Sequence, residues 1–167
     1  MRQATRRQHA GWSVLTAGLI LAAAAAGTRA ATSNQDTQTV AVTILGIHAT
    51  NEEKPHIDPA LAAIAKPLKR YKFNSFRLVA KETRSVALGK EWELPMVEGY
   101  ARRVRPTESD KDRVKMEVAW IQYVKDKDGK RKAHVRERHI MFIGKGKYLL
   151  TAVKLKKGAL VGAVAVK

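Results

Sequence analysis

The sequence predicts an α+β fold: a mostly antiparallel β meander, curled into a sandwich or open barrel, with one short helix near the N-terminus of the domain once residues 1–30 are set aside. Three observations carry this. Between Arg113 and Ile143, two arms rich in β-branched and aromatic residues flank Asp128-Gly129, a pair that tolerates the positive φ of a tight hairpin turn. From Leu88 onward, turn residues recur at the spacing of an antiparallel meander. Asp58-Pro59 alone supplies a helix start, with Asp as N-cap and Pro at the first helical position.

Residues 1–30 have the composition of a signal peptide. Arg2, Arg6 and Arg7 form a basic start, Trp12 to Ala26 an apolar run, and Thr28-Arg29-Ala30 a small-residue cleavage site. Thr5-Arg6-Arg7 resembles a twin-arginine signal, but His9-Ala10 stand where such signals prefer large apolar residues, which favours the general secretory route. The alternative is an uncleaved N-terminal membrane anchor, weakened by the Ala-rich, Leu-poor second half of the run. Ala31 to Gln38 is small and polar and is expected to be a disordered linker. Residues 39–167 remain as a single domain, long enough for a substantial core. With no cysteine in the chain, disulfides and thiol chemistry are excluded. The expected localisation is exported, periplasmic or secreted.

Thr39 to Ile47 is a continuous apolar run, as in a strand covered on both faces, and Ala49 to Pro55 a loop. Ala60, Leu61, Ala63, Ile64 and Leu68 give the helix its apolar side, and Pro67 ends or kinks it. Ser75 to Lys81 reads as a strand that can continue to Val86, turning at Leu88-Gly89-Lys90. Glu91 to Met96 alternates, and Pro95 marks it as an edge strand. Tyr100 to Arg105 is a strand and Pro106 to Asp112 a polar loop. After the hairpin come strands over Tyr148 to Leu155 and Ala159 to Val166, about seven strands following the helix. Centring the hairpin turn on Asp128-Gly129 pairs Val124 with Ala133, Gln122 with Val135, Trp120 with Glu137, Val118 with His139, Met116 with Met141 and Val114 with Ile143. That face is mostly apolar. The opposite face, with Lys115, Glu117, Arg136 and Arg138, is charged.

From Ile44 to Leu78 the order is a strand, a short loop, Asp58-Pro59-Ala60-Leu61, a helix, and Tyr71-Lys72-Phe73-Asn74-Ser75-Phe76-Arg77-Leu78. In this the chain resembles small exported bacterial proteins of unassigned function. The resemblance implies export and a Gly-turned meander, and it implies no catalytic residue or ligand.

Glu137 and His139 alternate onto the apolar hairpin face, where a carboxylate beside an imidazole could form a general base pair for a hydrolase or lyase. A bulge in the strand, or a place at a sheet edge, would remove that role. His48, His56 and Asp58 match no metal framework, and Asp58 is already the N-cap. No nucleophile elbow or phosphate-binding loop is present, so no cofactor or metal is expected and the protein is read as non-enzymatic.

The firmest functional signal is charge, +17 over 167 residues. Removing residues 1–30 takes away four arginines and no acids, so the domain remains strongly basic. Such a surface attracts polyanions across a Debye length of about 8 Å. For an exported protein the expected partners are anionic lipid, lipopolysaccharide, an acidic glycan or an acidic envelope protein, rather than nucleic acid. Lys115, Arg136 and Arg138 on the hairpin, and Arg102, Arg103 and Arg105 on the preceding strand, are the candidate binding residues. A further possibility is a structural envelope subunit joined by β-strand addition at an edge such as Glu91 to Met96.

Overall fold

The computed structural model describes residues 38–167. The predicted signal segment (1–30), and the predicted linker (31–38) apart from Gln38, lie outside the described residues. In chain order the strands are β1 (Thr39–Thr50), β2 (His56–Ile57), β3 (Ser75–Ala87), β4 (Trp92–Pro95), β5 (Tyr100–Ser109), β6 (Arg113–Lys125), β7 (Arg131–Gly144), β8 (Tyr148–Lys154) and β9 (Ala159–Val166). Between β2 and β3, a 3-10 segment (Pro59–Ile64) runs into a single α-helical turn, α1 (Ala65–Leu68).

The strands form a five-stranded sheet of order β2-β3-β1-β9-β8 and a four-stranded sheet of order β4-β5-β6-β7. All pairings are antiparallel except the short parallel bridge of β2 with β3. The second sheet is a meander in chain order. In the first, β1 is inserted between β3 and β9, pairing Val42 with both Arg84 and Val166.

Side-chain alternation builds the layers. Val40, Val42 and Ile44 point from β1 towards Val104, Met116 and Val118 of the other sheet. Leu45, Ile47 and Ala49 point the opposite way, onto Leu61, Ile64 and Leu68 of the helical segment. The expectation that β1 is covered on both faces therefore holds. Each fully buried Val, Ile or Leu side chain here contributes about 1.5–3 kcal/mol. The helical segment starts as expected, with Asp58 Oδ1 accepting from Ala60 N at 2.9 Å. It is not at the start of the domain: it spans residues 59–68, after two strands. It is also mostly 3-10, with Pro67, which has no amide to donate, in its last turn.

Several strand limits differ from expectation. β1 continues to Thr50 because Ala49 and Thr50 pair with Phe76 and Ser75. β5 runs through Pro106 to Ser109, where a loop was expected. A register irregularity between Pro106 and Glu108 absorbs the proline, whose carbonyl accepts from Gly89 N at 2.7 Å. Two-residue β2 is too short to leave a periodic signal.

The hairpin register is correct at its base and displaced at its tip. Val114–Ile143, Met116–Met141, Val118–His139 and Trp120–Glu137 pair as predicted. Beyond Trp120, Ile121 pairs with Val135, Gln122 with His134 and Val124 with Lys132, so the predicted pairs Gln122–Val135 and Val124–Ala133 are wrong. The loop is Asp126 to Lys130, not the two residues Asp128-Gly129. Asp126 Oδ1 organises it by accepting from Asp128 N at 3.0 Å and Lys130 N at 2.8 Å. That one-residue error is cancelled by a bulge at Arg136, which has no partner residue on β6.

Candidate functional site

The six candidate basic residues separate into three environments. Four of them face outward from the four-stranded sheet and are matched to carboxylates. Lys115 Nζ lies 2.7 Å from Glu108, Arg103 3.0 Å from Glu93, and Arg138 Nε 3.1 Å from Glu117, which Arg105 also engages. Glu93 additionally accepts from the Tyr123 hydroxyl at 2.6 Å. The exposed pairs among these add little stability, but together with the buried Glu117, which Arg105 and Arg138 share, they offset most of the charge of these four residues.

Arg102 is not on that face. Strand alternation that turns Arg103 and Arg105 outward turns Arg102 inward with Tyr100 and Val104, and it is fully buried. Its guanidinium lies 4.6 Å from the centroid of the Trp120 ring. The indole N–H of Trp120 donates to Thr151 Oγ1 of β8 at 3.0 Å. Room for this stack comes from Gly162 of β9, where an added Cβ would fall 2.8 Å from the Trp120 ring. Burial pushes the pKa of Arg102 down to about 10, so the group stays cationic at neutral pH.

Arg136 is the sixth. The bulge directs it towards β8, and it makes no ion pair among the described residues. β7 and β8 are the terminal strands of their respective sheets, and a cleft lies between them. One recess of it, about 280 Å³, is lined by Tyr100, Arg136, Glu137, Val153 and Lys154. An adjoining recess of about 720 Å³ shares Tyr100, Arg136 and Lys154 and adds Glu98, Gln122 and Lys156. Lys154 and Lys156 are exposed and, like Arg136, unpaired among the described residues. The rim thus sets three cations against two carboxylates, Glu98 and Glu137.

Glu137 and His139 occupy the predicted inward positions but are not enclosed. Their side chains are 44% and 42% exposed, and β7 is the terminal strand of its sheet. Glu137 Oε2 lies 3.5 Å from His139 Nε2. Val135, predicted to share their face, is turned outward by the bulge. His48 Nε2 lies 3.0 Å from the carbonyl of Lys157, and Asp58 caps the helical segment. Among the described residues no group of three or more potential metal ligands gathers. Also among these residues, no helix is long and apolar enough to cross a membrane.

Lys154 and Lys156 are visible in the sequence as charge, but nothing local places them opposite Arg136. Tyr100, at the floor of the cleft, carries no sequence signal beyond that of a strand's first residue. No family model, curated protein or solved structure matches the chain.

Proposed function

We propose that this protein is an exported, non-enzymatic basic domain, and that it binds an extended acidic segment of a partner envelope protein in the cleft between β7 and β8. The observation that carries this reading is the meeting of two sheet edges and several cations that are all without partners among the described residues. Each edge strand retains backbone N–H and C=O groups on its open side, which an added strand can satisfy. Arg136, Lys154 and Lys156 stand at that opening, whereas the outward arginines are already matched. Backbone hydrogen bonds would supply affinity, and the rim cations would supply preference for acid and a fast, salt-sensitive association.

The test uses the full chain and a fluorescein-labelled decapeptide alternating glutamate and valine, with a glutamine-for-glutamate control. The acidic peptide should bind more tightly than the control, and the double variant R136E/K154E should lose at least about tenfold of that affinity, roughly 1.4 kcal/mol. Equal binding of both peptides, or an unaffected double variant, overturns the reading. Co-sedimentation with anionic but not neutral vesicles at physiological salt, without peptide binding, would move the partner to the lipid surface.

The Glu137–His139 approach favours a second reading, a hydrolase or lyase acting in the same cleft. Turnover of a simple activated ester that disappears in E137Q would support it. Equal rates for E137Q and the parent would end it.

A further inference from the structure

We propose that Arg102 is the specificity-determining residue of this cleft, a buried receptor for one carboxylate of the bound acidic segment. The inference rests on the cleft reading above and names what that cleft selects. Arg102 lies two residues along β5 from Tyr100 on the same inward face, and it pairs across to Trp120, whose partner on β7 is Glu137 of the cleft wall. Tyr100 and Val153, which close the cleft floor, are themselves 7% and 8% exposed.

The cation is poorly provided for where it sits. Nε, Nη1 and Nη2 are all buried, and none finds an acceptor among the described residues. The Trp120 ring faces the charge but leaves the N–H groups unmet. A guanidinium presents a fixed fork of donors that fits a carboxylate in two parallel hydrogen bonds. Burying such a group without an acceptor is costly, and replacing it with an apolar side chain of similar length commonly stabilises a fold. Among the described residues, the carboxylate placed to influence it is Glu137, opposite Trp120 on β7 and on the cleft wall. A glutamate side chain from an added strand enters beside Glu137, passes Tyr100, and completes the fork.

Full-chain R102M and R102K are compared with the parent and with R136E/K154E, using the glutamate and glutamine decapeptides and thermal melts. R102M should melt higher, by about 2–8 °C, and should bind the two peptides alike, losing at least about tenfold in preference for glutamate. R102K keeps the charge without the fork and should recover only part of that preference. Because Arg102 stacks on Trp120, the glutamate peptide should also change tryptophan emission in the parent and not in R102M. A folded R102M or R102K that keeps the full preference overturns the inference. If it does so while R136E/K154E loses binding, the cleft reading stands alone. If no variant alters binding, both fall.

Discussion

β9 and β7 are both strands of this fold, and they have opposite fates. All eight residues of β9 are buried, whereas of the fourteen in β7 only Ile143 is. Composition accounts for part of this, since β9 has no charged residue and β7 has Arg131, Lys132, Arg136, Glu137 and Arg138. Position accounts for the rest, because Val135, Ile140 and Phe142 of β7 also stay 49%, 65% and 52% exposed. β9 lies inside the five-stranded sheet, with the helical segment on one face and the second sheet on the other, so its small Ala, Gly and Val side chains fill both interfaces. β7 is a terminal strand with only β6 beside it. An edge strand keeps apolar and charged residues alike in solvent, and it is at such an edge that the unpaired Arg136 and the cleft occur.

The contrast predicts unequal costs for similar truncations. Ile47→Ala removes a fully buried side chain from between β1 and the helical segment, and should lower stability by about 2–5 kcal/mol. Ile140→Ala on the outer side of β7 should change it by no more than about 0.5 kcal/mol. Denaturant melts of the two variants measure the difference directly, and equal costs would show that β7 is covered in solution.

The turns repeat the comparison. Gly158 leads into β9 at φ 84°, and an added Cβ would fall 2.1 Å from the carbonyl oxygen of Ala49. Gly129, in the loop before β7, has φ 75° and open space around it. Gly129→Ala should cost about 1–2 kcal/mol, the strain of a left-handed residue. Gly158→Ala adds a collision with backbone and should cost measurably more in the same melts.

The smallest effect concerns acid. Glu52, in the loop that follows β1, accepts from Arg77 Nη2 at 2.9 Å and from Thr50 Oγ1 at 3.1 Å. The Arg77 hydrogen bonds, followed by that from Thr50, hold its pKa at about 2, below the ordinary 4.5. A lowered carboxylate pKa stabilises the fold above the ordinary value, and that contribution is lost as pH falls through the folded one. Tm plotted against pH should therefore decline less for Glu52→Gln than for the parent between pH 4.5 and 2. Identical profiles would mean that this pair does not contribute to folding.

Much of this architecture can be read from local residue patterns. The Asp58-Pro59 helix start, the edge position of the Pro95 strand and the β6–β7 hairpin are all set by neighbours in sequence. The alternation of Val114, Met116, Val118 and Trp120 names the buried face of β6 before any fold is known. The same alternation could have separated Arg102 from Arg103 and Arg105, since only Arg102 shares parity with Tyr100 and Val104; grouping the three by charge concealed it. The hairpin tip departs from the local pattern because Asp126, rather than the Asp128-Gly129 pair, organises the loop, and because a bulge leaves no compositional mark.

What the sequence by itself determined is therefore the longer strands, most of their turns and the buried faces of strands such as β1 and β6, all consequences of backbone geometry over a few residues. Only the tertiary structure decided that β1 lies between β3 and β9, that Gly162 makes room for Trp120 and Arg102, and that Arg136 stands across a cleft from Lys154. Those outcomes join segments far apart in the chain, and they depend on which apolar faces fill one another's space. A strand's alternation says which side it buries and leaves open which strand it buries it against.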